Sequence, residues 1–248
     1  MSFAAAVFII VMSFLTAALS GVFGMAGGMV LMGILLAIMP LSAAMVLHGI
    51  TQMASNGWRA VLWREHINAR IVGWFALGSL LAALGFALVM AIPSKAVALL
   101  VLGLVPFLAM ALPRQAQLNV ARPPHAVASG AICMVLQLLA GVSGPILDLF
   151  FARAELGTRE IVATKAAINT GGHFVKLVYF GHALVAGGGA ISTVAILLAI
   201  AAALLGTQLS RVLLEAIDDA SFRQWSQRLI AAIAVVSLLQ GLILQFGS

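Results

Sequence analysis

Two sets of polar residues in this 248-residue chain repeat one another: His48, Gln52, Asn56 and Arg59, and Lys165, Asn169, His173 and Lys176. Both follow a four, four, three spacing, which on a helix of 100° per residue gathers each set within roughly an 80° arc. Cations, amides and imidazoles stacked on one face could strip and hold a small anion. Both sets lie in apolar segments, where an Arg or Lys at a helix centre costs about 2.5–3.5 kcal/mol and so normally faces a partner or a wet cavity. For Gln52, Asn56 and Asn169 the bland alternative is hydrogen bonding between helices. For Arg59 and Lys176 it is snorkelling to a membrane interface, beside Trp58, Trp63 and Tyr179.

Each set lies downstream of a glycine-rich break, Gly21-Val-Phe-Gly-Met-Ala-Gly-Gly28 and Gly141-Val-Ser-Gly-Pro145. Backbone N–H groups at the start of a half-helix lack partners and carry partial positive charge, so they attract anions. Gly24, Gly27, Gly28, Ser143 and Gly144 suit such a site, since small or missing side chains let a ligand reach the backbone. Close helix packing through small residues is the competing account. Asp148 is the one acid well inside an apolar stretch; it either couples protons to transport or pairs with Lys165 or Lys176. His173 is a second candidate for proton coupling. Cys133 reads as a small apolar residue. No His, Cys and carboxylate cluster has ligand spacing, so neither a metal nor a cofactor is expected. Gly141-Val-Ser143-Gly resembles the nucleophile segment of rhomboid intramembrane proteases, with His173 as base. That alternative leaves the paired polar sets unexplained.

The elements that hold these residues follow from composition. With 63% hydrophobic residues, 8% charged ones and a mean hydropathy of +1.17, the chain cannot keep a soluble surface. Apolar blocks fall at about 3–39, 42–63, 67–92, 95–112, 124–152, 160–181, 183–214 and 227–247, each long enough for a helical span of roughly 20 residues. An all-α polytopic membrane protein of about 8–10 helical segments is predicted. Blocks one and five are too long for one crossing. If each enters and returns, as a hairpin or broken helix hinged at its glycine-rich break, then Arg64, Arg70, Arg114, Arg122, Arg153, Arg159, Arg211, Arg223 and Arg228 share one side. Lys95 alone lies on the other, in keeping with the positive-inside rule. Each half then crosses an odd number of times, giving two inverted-topology repeats: 1–112, a linker at 113–123, and 124–248. Both termini are expected in the periplasm. The missing basic n-region before the first block implies that this block is retained as structure and is no secretory signal. The basic charges are scattered over short loops, which excludes nucleic acid as a partner.

The run Ser20-Gly-Val-Phe-Gly-Met-Ala-Gly-Gly28, the second break Ala140-Gly-Val-Ser-Gly-Pro-Ile-Leu-Asp-Leu-Phe-Phe151, and the segments Val162-Ala-Thr-Lys-Ala166 and His173-Phe-Val-Lys-Leu-Val-Tyr-Phe-Gly181 resemble the TauE/SafE (TSUP) family of sulfite and organosulfonate exporters. The resemblance covers nearly the whole chain. Pro145-Ile-Leu-Asp148 stands where that family usually carries a triple glycine, which leaves the particular anion open. The resemblance implies a proton-driven secondary transporter in a bacterial inner membrane, exporting small sulfur-containing anions such as sulfite or sulfonates. Its partners would be that anion and the bilayer, with a homodimer left open. Residues alone support a small-anion carrier of inverted repeats, with a passive anion channel as the alternative. Substrate contacts are expected at Gln52, Asn56, Arg59, Ser143, Gly144, Lys165, Asn169, His173, Lys176, Gly24, Gly27 and Gly28.

Overall fold

The computed structural model describes residues 3–23, 26–113, 118–214 and 219–247. Among them run ten α-helices: α1 Phe3–Phe23, α2 Ala26–Ile38, α3 Leu41–Leu62, α4 Ala69–Val89, α5 Lys95–Ala111, α6 Pro123–Ala140, α7 Gly144–Phe151, α8 Thr158–Ala186, α9 Thr193–Leu214 and α10 Asp219–Phe246. Local chemistry sets several boundaries. Asn68 caps α4 by accepting from the Ile71 N–H at 3.1 Å, and Ser94 caps α5 through the Val97 N–H at 3.2 Å. Pro123 opens α6, where its missing N–H is no loss. Gly141 ends α6 in the left-handed region, φ 79°, with the sulfur atoms of Met32 and Met45 packed where a side chain would stand.

Blocks one and five are thus each broken into two helices, at the glycine-rich segments. Among the described residues, four helices have stretches long and apolar enough to cross a bilayer: Ala69–Val89, Pro123–Ala140, Thr193–Ser210 and Gln227–Phe246. Their outer faces carry exposed residues such as Leu80, Leu84, Leu197, Leu205 and Leu239, as a lipid-facing surface requires. Helices α3 and α8 have 22 and 29 residues, but they carry the polar sets and lie against one another inside the bundle.

The main packing pairs are α1 on α9, α3 on α8, α4 on α6 and α5 on α10. Exchanging α1–α5 for α6–α10 in order turns this set of pairs into itself. Bare backbone allows the tightest crossing. A side chain on Gly78 would strike the Val127 carbonyl, and one on Gly130 would strike that of Phe75.

Among the described residues, the basic side chains divide unevenly between the two ends of the bundle. Arg159 lies over the Trp63 ring, and Asn68 bonds Thr164 and Glu160, so the turn after α3 meets the start of α8. Val120 N–H donates to the Phe150 carbonyl at 2.9 Å, bringing the segment before α6 to the end of α7. Arg64, Arg70, Arg122, Arg153 and Arg159 therefore gather at one end. Lys95 lies at the other, where Nζ donates to the Met39 carbonyl and the Tyr179 hydroxyl donates to that of Ala91. Helix α7 returns to the arginine end, whereas α2 runs out to the lysine end.

Candidate functional site

Helices α3 and α8 run antiparallel. Gly49 faces His173 and Lys176, and Gly57, two turns on, faces Thr170. This direction opposes the two polar sets across one interface. Between them and the two helix breaks lies a cavity of about 130 Å³, lined by Ser20, Gly28, His48, Gln52, Asn56 and Arg59 from one half. The other half contributes Gln137, Val142, Ser143, Gly144, Val162, Lys165, Ala166, Asn169 and His173.

Its electrostatics favour an anion. Among the described residues Arg59 makes only a long contact, from Nη1 to Asn56 Oδ1 at 3.4 Å, and its buried Nη2 has no hydrogen-bond partner. No carboxylate lies within ion-pair distance of it among the described residues. Ser20 Oγ is likewise buried, with no hydrogen-bond partner among the described residues. A guanidinium and a hydroxyl that both line the cavity with unpaired polar atoms are donors for an acceptor there. Asn56 Nδ2 is held by the Gln52 carbonyl at 3.0 Å and Asn169 Nδ2 by that of Lys165 at 2.9 Å, so both amides are anchored to their own helices. Gln137 lies 2.6 Å from His173 Nδ1 and accepts from Ser143 Oγ at 3.4 Å. With the amide oxygen taken by Ser143, the amide nitrogen donates to Nδ1, which leaves the ring proton on Nε2. That atom has no protein partner among the described residues.

Nine of the expected contact residues meet at this cavity: Gly28, Gln52, Asn56, Arg59, Ser143, Gly144, Lys165, Asn169 and His173. Gly27 does not. It packs on Thr16 and Ser20 of α1, which is the close-packing account of such glycines. Gly24 lies outside the described residues. Lys176 neither lines the cavity nor snorkels to an interface. It has no exposed surface, and its Nζ contacts His48 Nδ1 at 2.7 Å and the Gly141 carbonyl at 2.9 Å. Asp148 forms an ion pair with Lys165 while its side chain stays 52% exposed. Gln137 and Ser20 join the cavity lining from outside the two polar sets. The available signals were a lone amide one turn before Gly141 and a hydroxyl directly before the first break.

The family model for the TauE/SafE sulfite exporters matches residues 9–239. A search of curated proteins and one of solved structures each return no match. The match takes in both glycine-rich breaks, both polar sets and the cavity between them. The chain therefore belongs to the TauE/SafE family of sulfite exporters, and it is a multi-pass membrane transporter, not an enzyme.

Proposed function

We propose that the chain is a secondary transporter that exports sulfite or a short organosulfonate through the cavity between α3 and α8. The observation that carries this reading is Arg59, a guanidinium at a cavity inside an apolar bundle with a buried, unpartnered Nη2. A sulfur oxyanion presents oxygens that a planar guanidinium can meet with two parallel N–H bonds, and the Ser20 hydroxyl adds a third donor. Ser143 and Gly144, at the N-terminus of α7, contribute first-turn N–H groups that have no intrahelical partner.

The exchange symmetry of the packing pairs, and the exit of α2 and α7 at opposite ends, support two inverted repeats, 1–112 and 124–248, joined at 113–123. Gathering of arginines at one end supports placing that end in the cytoplasm of a bacterial inner membrane, with both termini outside. The proton-coupling role goes to Asp148, with His173 as the second candidate. Lys165 can exchange the Asp148 carboxylate for an incoming anion, leaving that carboxylate to take up a proton.

Flux into proteoliposomes tests the function. Sulfite, thiosulfate, C2 sulfonates and acetate are offered with and without a pH gradient. Saturable, gradient-driven movement of a sulfur anion, with acetate left behind, is expected. Absence of saturable flux for every sulfur anion would remove the proposal, and flux indifferent to the pH gradient would favour the passive channel.

A further inference from the structure

Lys176 lies in the bundle interior with no carboxylate within ion-pair distance among the described residues. A buried Lys amino group is expensive unless other groups accept its N–H bonds. Two acceptors do so here. Nζ donates to the Gly141 carbonyl at the C-terminus of α6, where the helix dipole is negative. It also meets His48 Nδ1 at 2.7 Å. His48 Nε2 is 2.9 Å from the Gly28 carbonyl, which can only accept, so Nε2 carries the ring proton and Nδ1 accepts from Lys176. The bonds thus run without interruption from one helix break to the other: Gly28 carbonyl, His48 ring, Lys176 Nζ, Gly141 carbonyl. Of the two side chains only His48 reaches the cavity. The His173 ring packs on it, with centroids 5.3 Å apart.

We infer that Lys176 is a positioning residue that never touches the anion: it holds the His48 ring, and the pair forms a strut that ties the two helix breaks into one rigid cavity wall. This inference rests on the anion reading of the cavity given above. Without the Lys176 Nζ, Nδ1 loses its donor, the ring is free to turn, and the hydrogen-bonded connection between the breaks at Gly28 and Gly141 is lost. The anion then meets a wall that must be ordered at the moment of binding, which weakens its affinity.

Sulfite binding to the full chain in detergent, measured by isothermal titration, tests the strut. The proteins compared are wild type, Lys176→Met, His48→Leu, the double variant and Arg59→Gln. Each strut substitution is expected to weaken sulfite roughly tenfold or more. The double variant should match the weaker single one, because the second change removes nothing still in place. Losses that multiply in the double variant would overturn the inference, as would wild-type affinity in Lys176→Met. If Lys176→Met does not yield a monodisperse protein, His48→Gln replaces it. Its amide oxygen can accept from Lys176 and its nitrogen can donate to Gly28, so affinity should stay within about threefold of wild type. Equal losses in His48→Gln and His48→Leu would overturn the strut. Failure of the underlying reading looks different: wild type itself would bind no sulfite. Binding lost in Arg59→Gln but kept in Lys176→Met would remove the strut alone.

Discussion

Replacing Arg59 with Gln should produce effects of opposite sign on the empty and the occupied protein. In the empty state the guanidinium is a liability. Among the described residues its Nη2 has no partner, its contact to Asn56 is 3.4 Å long, and no carboxylate lies within ion-pair distance. Removing it should therefore leave the melting temperature unchanged or higher. In the occupied state the same group supplies charge-assisted bonds worth about 1.5–3 kcal/mol, a loss of about 10- to 150-fold in affinity. Ligand stabilisation follows RT ln(1 + L/Kd), with L the free ligand concentration. At 100 times the wild-type Kd it is about 2.7 kcal/mol, and a 50-fold weaker variant would retain about 0.65 kcal/mol at the same concentration. Thermal melts of the detergent-solubilised protein, titrated with sulfite and ethanesulfonate, read both quantities. A variant whose ligand-induced shift equals that of wild type would refute the assignment. So would a large fall in the melting temperature of the empty variant, since that would make Arg59 a structural residue.

Asp148→Asn should still exchange the anion across the membrane while losing net transport driven by a pH gradient; accumulation at the wild-type rate would make the Asp148–Lys165 pair structural. Gly78→Leu and Gly130→Leu should each destabilise the bundle by roughly 1–3 kcal/mol or more, because the new side chain meets carbonyl backbone and not a movable group. Melting temperature or expression checks this, and a wild-type value would mean that α4 and α6 can part at no cost. Single cysteines placed at Glu65 and Glu155 should be labelled from the cytoplasm and one at Ser94 from the periplasm. Labelling of Glu65 and Ser94 positions from the same side would refute the topology.

The membrane class, the helical segments and the two breaks were legible in the sequence because they depend on local quantities: run length, hydropathy and the conformational freedom of glycine. Gln52, Asn56, Arg59, Lys165, Asn169 and His173 were legible for a related reason. A polar group in an apolar segment stands out against its neighbours, and helical spacing alone puts the set on one face. What spacing could not decide was which members of a face reach the cavity. Lys176 and His173 sit three residues apart on α8, yet one lines the cavity and the other lies behind His48. That outcome depends on how α3 is seated against α8, which is a matter of long-range packing. The same holds for Asp148. Its sequence position allowed Lys165 or Lys176 as partner, and only the return of α7 toward the arginine end selects Lys165. Gln137 and Ser20 gained their places in the same way, carried to the cavity by the ends of α6 and α1. Residue types and periods define what each helix can offer; the crossing of helices distant in the chain determines which of those groups meet.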